Sequence, residues 1–99
     1  MTNSLIEFSQ TISRLNKEKK YRDALNYFKD NKAAFTDQQI AGNEYIVSAM
    51  LTAMRHTSNV DPAFTFIERY KITISGATKE IVLNAYGWLL YFKFKAGNL

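Results

Sequence analysis

The sequence contains no cysteine, one proline and one histidine among its 99 residues. Without cysteine, the chain can form no disulfide and has no thiolate nucleophile. One histidine without cysteine also excludes the usual zinc sites, so we expect neither a metal nor another cofactor. The longest run of apolar residues and glycine, 85–92, is far too short for a membrane span. With no secretory signal at the start of the sequence, we expect a soluble cytoplasmic protein that does not contact membranes.

Signatures of catalysis are equally scarce. The nine carboxylates are dispersed, and no serine stands in a recognisable nucleophile elbow. Residues 75–78 (SGAT) lack the further glycines and the lysine of a phosphate-binding loop, so they predict a helix-capping loop in which Thr78 is the cap. His56 is expected at the surface near the end of a helix. The sequence therefore predicts a protein that is not an enzyme.

The remaining composition, 46% hydrophobic and 22% charged, is typical of one globular domain. Residues 43–70 predict a helical hairpin at its centre. Apolar residues recur at three- and four-residue spacing in the first half of this segment, on one helical face: Ile46, Val47, Met50, Leu51 and Met54. Asp61 and Pro62 are typical of a second helix start. The expected inward face of that helix contains Ala63, Phe64, Ile67 and Tyr70.

Flanking segments repeat this pattern. Ala24 matches Ala63 at an offset of 39 residues, and residues 43–45 match 84–86 at an offset of 41. The segment KKYRDALNYFKD resembles the turn and second helix of a tetratricopeptide repeat, with Tyr21, Ala24 and Phe28 at its aromatic, small and bulky positions. The final residues, NAYGWLLYFKFKAGNL, resemble the first helix and turn of a pentatricopeptide repeat. The resemblance implies a tetratricopeptide-like superhelix that holds proteins or peptides in a groove.

We therefore predict an all-α domain over residues 1–99, a five-helix stack of antiparallel helical hairpins. The hairpins occupy about residues 4–35 and 37–71, and an unpaired final helix occupies about residues 79–96. Capping boxes at residues 4–7 and 36–39 are expected to open the first helix and a long third helix. The first helix is expected to bury five apolar residues, Leu5, Ile6, Phe8, Ile12 and Leu15.

The final helix is apolar on almost every face, and a helix of this kind is expected to be covered on more than one side. Three explanations compete. The chain is the N-terminal fragment of a longer, bacterial protein whose next helix covers this surface; a second copy covers it in a homodimer; or the helix inserts between the other helices. The dimer hypothesis assigns self-association to Trp88, Tyr91, Phe92 and Phe94.

Two binding functions are predicted. The first is a non-catalytic protein-interaction or oligomerisation module, whose groove is lined by Tyr45, Ser48, Thr52, Arg55, Tyr86, Leu89 and Lys93. The alternative is nucleic-acid binding, because the net charge is +4 and five cations stand within nine residues: Arg14, Lys17, Lys19, Lys20 and Arg22. Only Glu18 opposes them within that segment. Binding to phosphates would weaken steeply with salt, whereas apolar groove binding would not.

Overall fold

The computed structural model describes residues 4–57, 60–75 and 78–95, and these residues form helices and connecting segments without a β-strand. A short 3₁₀ turn, Lys32–Ala34, follows the second helix. The six α-helices are α1 (Leu5–Lys17), α2 (Tyr21–Asn31), α3 (Asp37–Ala41), α4 (Glu44–Thr57), α5 (Asp61–Arg69) and α6 (Glu80–Lys95). The predicted all-α class is confirmed, whereas the described residues contain six α-helices instead of five.

Helix α4 lies at the centre of the domain and contacts each of the other five α-helices. Phe8 of α1, Leu51 of α4 and Leu89 of α6 have no exposed surface, so these helices share one core. Burial of each such side chain contributes about 1.5–3 kcal/mol, which holds the helices against one another. The buried residues of α4 cover most of its circumference: Ile46, Val47, Ala49, Met50, Leu51 and Ala53.

Helices α4 and α6 run in the same direction. Val47 and Val82, each in the first turns of its helix, line the same depression. At the other end, the guanidinium carbon of Arg55 lies 5.2 Å from the centre of the Phe92 ring. The outer surfaces of α4 and α6 therefore lie side by side along their whole length.

Helices α2 and α5 run in the opposite direction to α4. Tyr21 at the start of α2 stacks on His56 at the end of α4, with ring centroids 4.2 Å apart. Lys93 near the end of α6 lies 3.9 Å from Asp61 at the start of α5. Since α1 and α2 are joined by a tight turn and pack together, α1 runs parallel to α4. The helices thus form two groups: α1, α4 and α6 in one direction, α2 and α5 in the other.

The predicted starts of α1 and α3 are confirmed by their hydrogen bonds. The Glu7 N–H donates to the Ser4 hydroxyl oxygen at 3.0 Å. The Gln39 N–H donates to the Thr36 hydroxyl oxygen at 3.1 Å, and the Thr36 N–H donates to the Gln39 side chain at 2.8 Å. These bonds satisfy N–H groups that have no partner within the first turn of a helix.

The prediction of one long third helix is wrong, because the chain breaks between α3 and α4. The Gly42 N–H still bonds to the carbonyl of Gln38, but the next residue leaves the helix. The Asn43 side-chain oxygen then accepts from the Ile46 N–H at 3.0 Å and so caps α4 as a new start. Glycine followed by asparagine is typical of one helix ending and another beginning. This signal was missed because the apolar periodicity continues across it.

Two further boundaries differ from those predicted. Helix α2 was expected to reach about residue 35, but it ends at Asn31, whose side chain donates to the Tyr27 carbonyl at 2.9 Å. Thr78 was expected to cap the final helix. Its hydroxyl instead accepts from the Ser75 N–H at 2.8 Å and donates to the Thr73 carbonyl at 3.2 Å, and the helix starts only at Glu80. The predicted turn residues 58–59 and 76–77 lie outside the described residues.

The two sequence matches behave differently. Ala24 and Ala63 are both fully buried, near the starts of α2 and α5. By contrast, Asn43 precedes α4 and caps it, whereas Asn84 lies inside α6. The second match therefore joins positions that are not equivalent. The two segments share residue types but not a position relative to the start of a helix.

Candidate partner-binding face

Helix α6 carries most of the exposed apolar surface of the described residues. Seven of their nine exposed large hydrophobic residues belong to it: Ile81, Leu83, Trp88, Leu90, Tyr91, Phe92 and Phe94. Only Val82, Ala85 and Leu89 of this helix are buried. Helix α6 therefore packs against the domain through a single face. The explanation in which it inserts between the other helices is wrong.

Arg55 joins α4 to the aromatic residues of α6. Its guanidinium carbon lies 5.7 Å from the centre of the Trp88 ring and 5.2 Å from that of Phe92. The two rings are stacked, with centroids 6.0 Å apart. Contact between a guanidinium and aromatic faces is attractive because the π-system is electron-rich. The arrangement fixes a cation beside two partly exposed aromatic rings.

The predicted groove residues of α4 lie on its outward face. Tyr45 is 57% exposed, and Ser48, Thr52 and Arg55 are half-buried. The Ser48 hydroxyl donates to the Tyr45 carbonyl and the Thr52 hydroxyl to the Ser48 carbonyl, at 3.2 and 2.9 Å. These polar residues lie in a row between Tyr45 and Arg55.

The α6 side of the predicted groove requires correction. Leu89 has no exposed surface and belongs to the core. Tyr86 packs edge-on against Phe64, and Lys93 lies 5.1 Å above the same ring, so both face α5. The α6 residues beside Arg55 are instead Trp88 and Phe92. Periodicity could not find this register, because almost every position of α6 is apolar.

A cleft between α1 and α4 continues the outward face on the other side of Tyr45. It is lined by Ile6, Ser9, Gln10, Ser13, Arg14, Lys17, Asn43 and Tyr45. Ile6 is 65% exposed, so its predicted burial is wrong. The other four apolar residues of the predicted α1 stripe are buried or packed against the core. Ile6 and Tyr45 give this cleft an exposed apolar end, and Arg14 and Lys17 give it positive charge.

The outward surfaces of α1, α4 and α6 form one candidate surface, named here the partner-binding face. It comprises the α1–α4 cleft, the row from Tyr45 to Arg55, and the rings of Trp88 and Phe92. No carboxylate lines the cleft, while Arg14, Lys17 and Arg55 supply three cations to the face. Its chemistry is therefore apolar and aromatic with positive charge.

The predicted nucleic-acid patch lies around the α1–α2 turn, and all five of its cations are exposed: Arg14, Lys17, Lys19, Lys20 and Arg22. Glu18 lies among them, 3.4 Å from the ammonium of Lys20 and 4.0 Å from the guanidinium of Arg14. Part of the local positive charge is therefore neutralised within the patch.

His56 is an exposed residue at the end of α4, as predicted, and its ring lies flat against Tyr21. Partial burial and the adjacent Arg55 charge lower the pKa of His56 below its ordinary value of 6.5. Both effects disfavour the imidazolium.

A larger depression, about 880 Å³ in volume, lies between α3, α5 and the segment that leads to α6. Asp37 and Arg69 meet at its edge at 3.0 Å, and this contact raises the pKa of the Arg69 guanidinium. Burial raises the pKa of the Tyr70 hydroxyl, which lines the same depression. The ion pair is exposed to solvent and so contributes little to stability.

Comparison of the chain with protein-family models, with curated proteins and with solved structures finds no significant match. Within the described ranges, none of the helices combines the length and apolarity needed to cross a bilayer. No cluster of three or more potential metal ligands occurs in that part of the chain.

Proposed function

We propose that this protein is a non-catalytic interaction module that binds a protein or peptide segment on the partner-binding face. The proposed architecture is a tetratricopeptide-like stack, in which α1, α4 and α6 present the inner surface. The observation that carries the proposal is the row of exposed and half-buried residues from Tyr45 to Arg55 on α4, which continues onto the Trp88 ring of α6 through the Arg55 guanidinium.

The residue types of this face support a protein partner. Tyrosine, tryptophan and arginine are enriched at protein interfaces, and they dominate binding energy where neighbouring contacts exclude water. Tyr45 and Trp88 are both more than half exposed, at 57% and 53%. Arg55 is already placed against two rings, so less side-chain freedom is lost when a partner binds.

The positive charge of the face indicates the charge that a partner would carry. Arg14 and Lys17 lie at the α1–α4 cleft, and Arg55 lies at the junction of α4 and α6. A segment that carries both apolar and acidic side chains would match these features. Apolar residues would pack on Ile6, Tyr45 and the indole of Trp88, while carboxylates would approach the cations.

Trp88 provides a direct test, because it is the only tryptophan in the chain. Peptides selected from a random displayed library would be titrated against the protein while the emission of Trp88 is recorded. We expect a shift in emission on binding and at least about a tenfold loss of affinity in Arg55→Ala, equivalent to 1.4 kcal/mol. Arg22→Ala, which removes an exposed arginine from α2, is the matched control. Equal binding by the Arg55→Ala variant would refute the assignment of the face.

Nucleic-acid binding through the Arg14–Arg22 patch remains the alternative. It is supported by the exposure of all five cations and opposed by Glu18 within the patch. Titration with single-stranded RNA and with duplex DNA at two salt concentrations separates the proposals. Phosphate binding should weaken steeply with salt and be abolished in a Lys19→Glu, Lys20→Glu double variant, whereas peptide binding should survive that change.

A further inference from the structure

Helix α6 exposes a second apolar surface beside the partner-binding face. Leu83, Gly87, Leu90 and Phe94 follow one another at spacings of four, three and four residues, the spacing of a seam at which two helices pack. The three large members of the seam are exposed, Phe94 to 69%. Trp88 and Phe92 lie toward Arg55, so this outer seam runs beside the partner-binding face, and Trp88 borders both surfaces.

Gly87 gives the seam an unusual centre. It lies at the middle of the 16 residues of α6, where glycine costs about 1 kcal/mol relative to alanine. Packing within the described domain does not require glycine at this position. A Cβ built at Gly87 would have no atom of the surrounding structure within 4 Å. Leu83, Asn84, Trp88 and Tyr91 surround it in a shallow depression. A missing side chain at this position lets a second helix approach closely from outside.

The charges at the two ends of α6 indicate which helix fits. The first turn carries Glu80 and the last turn carries Lys95, both exposed. Lys79, which precedes the helix and is also exposed, lines the depression beside α3 and α5. When two copies of α6 pack antiparallel, Glu80 of each copy lies beside Lys95 of the partner subunit, and the helix dipoles are opposed. A parallel pair would instead place like charges together at both ends.

We infer that the outer seam of α6 is a homodimer interface, in which two copies of α6 cross antiparallel at Gly87. A two-fold axis through this crossing makes the interface self-complementary, as a closed dimer requires. The seam then buries Leu83, Leu90 and Phe94 of both copies.

Sedimentation over a range of concentrations tests the inference with the full chain. We expect the wild type to dimerise and Gly87→Lys to dissociate at least about tenfold more readily, because two cations would meet at the crossing. Lysine favours helix over glycine, and the space at Gly87 is open, so the variant should remain folded. Asn26→Lys, on the exposed surface of α2, is the matched control. A monomeric wild type, or unchanged dimerisation of Gly87→Lys, would overturn the inference.

Cysteine crosslinking tests the orientation, since the natural chain has no cysteine. Gly87→Cys should form a disulfide with itself across the crossing. Phe94→Cys should not, because antiparallel packing separates the two copies of that residue by about 20 Å along the helices. A mixture of Phe94→Cys and Glu80→Cys should crosslink to a heterodimer. Self-crosslinking of Phe94→Cys at the rate of Gly87→Cys would contradict the antiparallel arrangement.

Discussion

The guanidinium carbon of Arg55 lies 5.2 Å from the centre of the Phe92 ring, and this contact joins the last turns of α4 and α6 on the outward side of the domain. Beneath it, Leu89 of α6 is fully buried in the shared core. The contact therefore adds to the packing of α6 on α4 and also lies within the proposed partner-binding face.

Removing this guanidinium should weaken the domain slightly. We expect Arg55→Ala to lower the free energy of unfolding by about 0.5–1 kcal/mol, the usual value of a partly exposed cation–aromatic contact. Urea denaturation followed by circular dichroism measures the change. Arg55→Lys should lose less stability than Arg55→Ala because it keeps a cation near the rings. Arg22→Ala should stay within about 0.5 kcal/mol of the wild type. A loss equal to that of a core substitution would mean that Arg55 is mainly structural.

Substitutions in the core should reduce stability far more than substitutions on the exposed side of α1. Phe8 is fully buried and stacks on Phe28 and Phe35, with ring centroids 5.7 and 4.8 Å away. We expect Phe8→Ala to cost about 3–5 kcal/mol because it leaves a cavity. Ile6→Ala, two residues away and on the exposed side, should change stability by less than about 0.5 kcal/mol. Thermal or urea unfolding of the two variants compares them directly, and similar losses would contradict the register of α1.

Two lysines adopt a backbone conformation that favours glycine. Lys19 follows α1 with φ of 63°, and Lys71 follows α5 with φ of 54°. In both turns the next N–H bonds to a carbonyl five residues earlier, from Lys20 to Leu15 and from Ile72 to Ile67. This is a common way to end a helix, and glycine usually occupies the left-handed position.

Lys71→Gly should consequently stabilise the protein by about 0.5–1 kcal/mol, because glycine adopts positive φ without steric cost. Lys29→Gly, inside α2, should destabilise it by about 1 kcal/mol. Melting temperatures or urea midpoints that shift in opposite directions would support a left-handed backbone at Lys71 and a helical backbone at Lys29. A decrease for Lys71→Gly would show that the backbone at this turn is not left-handed.

His56 should make stability depend on pH. Its pKa in the folded protein lies below 6.5, so the unfolded chain takes up a proton first as the pH falls. The contribution of neutral His56 is therefore complete above about pH 6.5 and is lost as the pH falls through the lowered pKa. Stability measured in small steps from pH 8 to 5.5 should decline at the acid end, and His56→Gln should reduce that decline. An NMR titration that gives a pKa above 6.5 would reverse the prediction.

Hydrophobic periodicity and capping residues predicted much of the fold. The caps Ser4 and Thr36 could be predicted from local sequence because each bonds to a residue three positions later. The apolar periodicity predicted that Ala63 faces inward, and it is fully buried. The break at Gly42 was concealed by apolar residues that continue on either side of it. The capping residue Asn43 was nevertheless visible in the local sequence, so this break could also have been predicted.

The candidate face was harder to predict than the helices. Tyr45 and Arg55 could be placed on the outward side of α4, since that helix has a clear polar stripe. Helix α6 has no such stripe, and sequence alone could not show that Lys93 faces Asp61 and Phe64 while Trp88 faces Arg55. Those directions depend on packing against α4 and α5, which the pattern of apolar residues does not encode.

Amide chemical-shift mapping with a selected peptide would test the proposed function most directly. We expect the largest changes at the outward residues of α1, α4 and α6, around Tyr45, Arg55 and Trp88. Changes centred instead on the α2–α5 side, around Leu25, Lys29 and Thr65, would contradict it.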